Sequence, residues 1–90
     1  MHIVQTSIFV KQIKKLHNNQ KKDLDAAVSA LLSDPQLGAA KKGDLSDVRV
    51  YKFSMTRQLT LLAYGWQQDE ERLVLFSLGS HENFYRDLKR

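Results

Sequence analysis

The chain has 90 residues, of which 14 are Lys or Arg and 10 are Asp or Glu, so its formal net charge at pH 7 is +4. This length fits one domain, expected to span residues 1–90, and excludes a multi-domain enzyme. The absence of cysteine excludes a disulfide scaffold, a cysteine zinc site and a cysteine nucleophile. The chain has no apolar run long enough to span a membrane, and its first apolar stretch precedes the charges, the reverse of a secretory signal. We expect a folded cytoplasmic protein with no membrane partner.

The first half of the chain predicts a helical hairpin over residues 7–33. Thr6 or Ser7 can cap its first helix, because a hydroxyl oxygen accepts a free backbone N–H of the first turn. The second helix ends before Pro35, since the residue preceding a proline avoids the helical region. Apolar residues in the second helix recur at i, i+3, i+4, i+7 and i+8: Leu24, Ala27, Val28, Leu31 and Leu32.

Elsewhere the apolar pattern has a period of two or runs continuously, as in β-strands. The segment 59–66 is nearly all apolar and predicts a central strand buried on both faces; within it Leu62, Tyr64 and Trp66 are interpreted as core rather than as a base-stacking platform. The other predicted elements are strands at 2–6, 48–53 and 72–78, a connecting segment at 35–47 and a terminal helix at 81–90. The order β-α-α-β-β-β-α predicts an α+β fold, with the helical hairpin packed on a small, mainly antiparallel sheet.

Positive charge is concentrated near the start of the chain. Five Lys and no acidic residue lie between Ser7 and Lys22. Such a surface can bind nucleic acid by neutralising phosphates, or it can simply be a solvated lysine-rich face. Composition leaves both interpretations open.

Several sequence features together resemble the RelE/ParE superfamily of bacterial type II toxins. They are the element order, the segment GDLSDVRVYKF, Arg57 in the turn before LLAY, and the ending LVLFSLGSHENFYRDLKR. The specific similarity covers residues 43–90, and the whole chain fits the element order. RelE-like and YafQ-like members cleave mRNA in the ribosomal A site, whereas ParE-like members poison DNA gyrase.

The resemblance implies the toxin of a type II toxin–antitoxin system. The first interpretation is a ribosome-dependent mRNA endoribonuclease that needs no metal or cofactor, inhibits translation and arrests growth. Its partners would be a cognate antitoxin, the ribosome and mRNA. The alternatives are a ParE-like toxin that poisons DNA gyrase without nuclease activity, and an inactive member that only binds its antitoxin.

RNA cleavage by a ribose 2′-hydroxyl needs a base, cations for the phosphorane charge and an acid for the leaving 5′ oxygen. The resemblance implies that His81 is the acid or a phosphate ligand, that Arg57 grips the scissile phosphate, and that Lys42 matches one of two RelE lysines acting as base and phosphate ligand. Ala40 stands where the other lysine would be, with Lys41 beside it, so the base is not assigned. The residues alone also allow a local hydrogen bond for His81, a solvated turn for Arg57 and a solvated loop for Lys42.

The predicted RNA-binding residues include cations and one aromatic side chain; the resemblance implies the stacking role of Tyr85 and the contacts of the helix lysines, and Lys52 and Arg86 are further cations near the same strands. Tyr85 would stack on an mRNA base, an interaction worth about 1–3 kcal/mol, or would pack within the fold. The predicted set is Lys11, Lys15, Lys41, Lys52, Tyr85 and Arg86. No metal site is expected, because His2 and His17 have no partner at a metal-ligand spacing and HENFYRD lacks the HExxH pattern.

Overall fold

The computed structural model describes residues 2–40 and 48–80. In this part of the chain two helices pack on a five-stranded mixed sheet, which confirms the predicted α+β fold. The predicted terminal helix at 81–90 lies outside the described residues. The elements are β1 (His2–Gln5), α1 (Ser7–Lys14), α2 (Asn18–Ser33), β2 (Ala39–Ala40), β3 (Arg49–Met55), β4 (Gln58–Gln67), a 3-10 turn (Gln68–Glu70) and β5 (Arg72–Ser80).

The strands follow the spatial order β1-β5-β4-β3-β2. β1 is parallel to β5, and the other neighbours are antiparallel. β4 lies in the middle, as its continuous apolar sequence predicts. The segment expected only to connect α2 to the sheet contains β2, where Ala39 pairs with Val50 and Ala40 with Arg49. Two residues are too few to show a period in the sequence, so this strand was missed.

Polar side chains of α1 fasten the helix to β5. The Thr6 hydroxyl oxygen accepts the Phe9 N–H at 3.1 Å, which confirms the predicted cap, and the hydroxyl donates to the Phe76 carbonyl at 2.6 Å. Further along the strand, the Gln12 amide donates to the Leu78 carbonyl at 2.8 Å and accepts the Leu78 N–H at 2.9 Å. These bonds fix α1 against the half of β5 that β1 does not reach.

No helix in the described ranges is long and apolar enough to cross a membrane.

The sheet buries apolar side chains on both faces. The helix face, which α1 and α2 cover, carries the larger cluster, and its fully buried members include Leu62 and Tyr64, with Trp66 packed against them. Burying a large apolar side chain stabilises the fold by about 1.5–3 kcal/mol. The far face, defined by Val50, Lys52, Leu61 and Ala63, holds a smaller apolar cluster. The prediction that β4 is buried on both sides, with Leu62, Tyr64 and Trp66 in the core, is confirmed.

Candidate functional site

The turn between β3 and β4 presents Arg57 on a strained backbone. Met55 pairs with Gln58, so only Thr56 and Arg57 connect the two strands. Their φ angles are +48° and +70°, and positive values at both positions are what a type I′ turn requires. Left-handed backbone costs a non-glycine residue about 1–2 kcal/mol, and it is least favourable for a β-branched residue such as Thr. A conformation of this kind persists only when neighbouring structure holds it.

Helix α2 supplies the contact that holds this turn. The Thr56 N–H donates to Oδ2 of Asp23 at 2.7 Å, and the Thr56 hydroxyl donates to the Met55 carbonyl at 2.7 Å. Asp23 is half-buried in the first half of α2. A hydrogen bond to a carboxylate is roughly twice as strong as one between neutral groups. The strained turn is thus tied to the helix layer by one carboxylate.

Arg57 is exposed at this turn, which is where the resemblance implies a phosphate-binding arginine. A guanidinium group offers five N–H donors in a planar fork and can bind two phosphate oxygens at once. Because the backbone at Arg57 is fixed by both strands and by α2, the direction in which the side chain leaves the turn is restricted. The position suits a group that must meet a phosphate in a defined orientation.

Lys52 lies on the far face of β3, two residues after Val50. Side chains alternate along a strand, and Tyr51 and Phe53 point to the helix face, where they pack against the core. Lys52 is exposed, and its partner across the ladder is Leu61. Lys52 is therefore a cation in a mostly apolar part of the far face.

The two predicted RNA-binding lysines of the first helix lie on the other side of the molecule. Lys11 and Lys15 are exposed, on α1 and at its C-terminal cap respectively, whereas Phe9 of the same helix is buried. Because α1 packs on the helix face, its exposed residues are separated from Lys52 by the sheet. The structure divides the predicted basic residues between two surfaces and does not bring Lys11 or Lys15 to Lys52.

The other predicted site residues lie outside the described residues. The structure describes the chain up to Ala40, which pairs with Arg49, and up to Ser80, which pairs with Thr60. Arg57 is the one predicted catalytic residue within the described ranges. The residues outside are His81, Lys41, Lys42, Tyr85 and Arg86.

A second arginine, Arg49, binds backbone within the fold. Its Nη1 donates to the Gly38 carbonyl at 2.8 Å and to the Gln36 carbonyl at 3.4 Å. Beside it, the Tyr64 hydroxyl donates to the Pro35 carbonyl at 2.7 Å and accepts the Gly38 N–H at 2.8 Å. These contacts fix the backbone between α2 and β2. The sequence signal for these contacts was a tyrosine within the apolar central strand, because a buried phenol needs hydrogen-bond partners.

The buried tyrosine stays in its protonated form. Burial raises the pKa of Tyr64, and this effect outweighs the Gly38 hydrogen bond and the Arg49 charge, which both lower it. The phenol proton thereby remains available for the bond to the Pro35 carbonyl. Tyr64 acts as a structural anchor rather than as a proton-transfer group.

A small depression between α2 and β3 lies beside the β3–β4 turn. Its volume is about 200 Å³, below the roughly 300–1,000 Å³ typical of small-molecule sites. In residues 2–40 and 48–80, no three His, Cys, Asp or Glu side chains are grouped so that they could hold a metal ion. The lining residues are Asp23, Ala26, Ala27, Tyr51, Phe53 and Ser54.

Solved structures with the same architecture include a bacterial toxin and a conserved hypothetical protein. The isolated E. coli RelE toxin is 20% identical, aligned over 99% of this chain and 96% of its own, with a TM-score of 0.68. A chain of the intact E. coli RelBE toxin–antitoxin complex is 19% identical over 88% of this chain and 94% of its own, with a TM-score of 0.70. A conserved hypothetical protein from Helicobacter pylori is 21% identical over 93% and 98%, with a TM-score of 0.56. At these identities the likeness shows the fold, which is that of RelE.

The family follows from a sequence comparison that covers almost the whole chain. The family model for the ParE-like toxin of type II bacterial toxin–antitoxin systems matches residues 3–89. The chain therefore belongs to this family of type II toxins, within the RelE/ParE superfamily indicated by its sequence. No curated protein matches the chain significantly.

Proposed function

We propose that this toxin inhibits translation by cleaving mRNA on the ribosome. The observation that carries the proposal is the presentation of Arg57 on a turn whose strain is held by Asp23. Strained backbone is concentrated at functional sites, where a side chain must be held in place before its ligand arrives. The RelE-like fold supports the proposal, because RelE-like members of the superfamily act in this way.

In this mechanism a base removes the proton of the 2′-hydroxyl, the 2′ oxygen forms a bond to the adjacent phosphorus, the bond from phosphorus to the 5′ oxygen breaks, and the 5′ oxygen leaves with a proton supplied by an acid. Arg57 binds the non-bridging oxygens and stabilises the charge that develops on the phosphorane. Lys52 adds positive charge on the far face of the same hairpin. The proposal assigns acid catalysis or phosphate binding to His81 and proton transfer or phosphate binding to Lys42.

The proposed protein partner is an antitoxin that covers a basic surface of the toxin. The chain carries a net charge of +4, and the E. coli RelBE structure is that of a toxin–antitoxin complex. An acidic segment that folds on binding can wrap such a surface and be released again.

The test is induction of the chain in a sensitive bacterium, with mapping of mRNA 5′ ends and measurement of DNA supercoiling in the same cells. We expect cuts that depend on translation, with normal supercoiling. The Arg57→Ala chain should lose the cuts. Arg72→Ala is the matched control, since Arg72 lies at the other end of the β4–β5 pair and contacts Glu70 at 3.0 Å on the surface. Intact mRNA during growth arrest would overturn the proposal.

The second candidate function is the poisoning of DNA gyrase. It is favoured by the family model that matches residues 3–89, which is that of the ParE-like toxin. Binding to gyrase would need no group for proton transfer. DNA breaks or lost supercoiling with intact mRNA would select this function, and absence of arrest would indicate a member that only binds its antitoxin.

A further inference from the structure

We propose that Asp23 is a positioning residue for Arg57, and this inference rests on the proposed role of Arg57 in the toxic activity. The Asp23 carboxylate accepts the Thr56 N–H at 2.7 Å and so holds the two-residue turn that carries Arg57. Asp23 itself need not contact the target. Its contribution is the backbone conformation from which the guanidinium group projects.

The turn needs an acceptor from outside the hairpin. Met55 and Gln58 pair with each other across the two strands. The Thr56 N–H, at the first position of the turn and outside the ladder, bonds to Asp23. A backbone N–H withdrawn from water must find a partner. This one finds it on an element 33 residues earlier in the chain. Because Thr56 and Arg57 both have positive φ, the same bond also selects an unfavourable backbone conformation.

Asp23 is well placed to impose that conformation. The next residue, Leu24, and Ala27 one turn later are buried against the sheet, so the backbone at Asp23 is anchored. The bond is partly buried, and hydrogen bonds are stronger where water is excluded. By contrast Asp25 is exposed on the same helix. The two carboxylates, two residues apart, therefore form a matched pair.

Without the bond to Asp23 the turn could adopt other backbone conformations, and the Arg57 side chain would no longer leave it in one defined direction. A two-residue connection with ordinary negative φ angles splays the strands it joins, and a small displacement of a phosphate-binding group can lower a rate by about a hundred-fold. A hydrogen bond to a charged group changes an equilibrium by about ten-fold or more. We expect Asp23→Ala to reduce mRNA cleavage by at least about ten-fold, and Asp23→Asn, which keeps an acceptor oxygen, to retain most of it.

The first measurement uses amide hydrogen exchange in the purified chain and needs no target. The Thr56 amide should be protected in the wild-type, Asp23→Asn and Asp25→Ala chains, and exposed in Asp23→Ala. The Leu62 amide in the core reports whether each variant is folded. Equal protection of Thr56 in wild type and Asp23→Ala, with both folded, would overturn the inference.

The second measurement is a cycle of cleavage assays on translated mRNA with wild type, Asp23→Ala, Arg57→Ala and the double variant. If Asp23 acts through Arg57, its substitution lowers cleavage by at least about ten-fold when Arg57 is present and has no further effect when Arg57 is absent. An equal loss in both backgrounds would overturn the positioning role. Full cleavage by Arg57→Ala would instead overturn the proposed role of Arg57, while the Thr56 exchange result would still decide whether Asp23 holds the turn.

Discussion

The β3–β4 turn and the connection between α2 and β2 are both held by side-chain contacts from other elements, but the arginines of the two regions have different roles. At the turn, Asp23 binds the Thr56 N–H and Arg57 is exposed to solvent. At the connection, Tyr64 binds Gly38, and Arg49 donates to backbone carbonyls. The comparison shows two roles for an arginine. Arg49 stabilises the fold because backbone carbonyls accept its N–H groups, whereas Arg57 is a candidate for ligand binding because its side chain is exposed.

The largest expected effect separates the two arginines. Arg57→Ala should lower mRNA cleavage by about a hundred-fold or more, as does loss of a donor to a transition-state oxyanion, and should leave the free energy of unfolding nearly unchanged. Arg49→Ala should lower the free energy of unfolding, because it removes a donor to the Gly38 carbonyl. Cleavage rates at matched folded concentration and urea denaturation of both variants check this. A stability loss confined to Arg57→Ala would reverse the assignment.

The next effect concerns the close packing of the α2–β2 connection. A Cβ added at Gly38 would lie 2.6 Å from the Tyr64 ring carbon Cε1 and 2.9 Å from the Val50 carbonyl oxygen. Overpacking of this kind costs about 1–3 kcal/mol, so Gly38→Ala should lower the urea midpoint clearly. Ala40→Gly, at an exposed residue of the same segment, is the control for simple changes of backbone entropy. Equal midpoints for Gly38→Ala and wild type would contradict the packing argument.

Tyr64 also makes the free energy of unfolding depend on pH in the alkaline range, an effect that arises at the α2–β2 connection and not at the turn. Its pKa is raised by burial, so above the ordinary tyrosine pKa of about 10 the unfolded chain has lost the phenol proton while the folded chain keeps it. The folded state then binds more protons, and stability falls as pH increases, by at most about 1.4 kcal/mol per pH unit. Tyr64→Phe should remove this part of the decline in urea unfolding between pH 9 and 11. An unchanged slope would show that Tyr64 does not cause it.

The smallest expected effect is a gain in stability at the turn. Asn adopts left-handed backbone more readily than the β-branched Thr, so Thr56→Asn should raise the free energy of unfolding by about 0.5–1 kcal/mol. Thr56→Val, which keeps the branch and lacks a hydroxyl, is the contrasting variant and should be destabilising. Thermal unfolding of the two variants measures the difference. A gain for Val would indicate that backbone strain at this position is not the controlling feature.

Most of the fold was predictable because its main elements have long, regular patterns. The apolar run of β4 predicted a buried central strand, and the spacing from Leu24 to Leu32 predicted α2. The β2 strand was not predictable, since Ala39–Ala40 carries no period and pairs only because Arg49 and Val50 lie beside it. A local sequence pattern indicates which element a segment forms, but it does not indicate which neighbouring strand that segment pairs with.

The position of Arg57 in a turn was predictable, but the construction of that turn was not. The sequence predicts that Arg57 lies in a turn before a strand, and it does. The positive φ angles were not foreseen, because Thr-Arg is not the Asn-Gly pair that signals a type I′ turn. The bond from Thr56 to Asp23 joins residues 33 positions apart, and no periodicity links them. Likewise nothing in the charge pattern separates Arg49, which binds carbonyls, from Arg57.

The bonds between Gln12 and Leu78 bear on how the sheet ends. A side-chain amide has the same donor and acceptor as a peptide unit, and both of these meet the Leu78 backbone. Exposed strand edges recruit other extended chains and promote aggregation. Gln12 therefore acts as a one-residue imitation of the next strand and closes β5 at this point to any incoming chain. Replacing that amide would leave the Leu78 N–H and carbonyl without these partners, as at an uncovered strand edge.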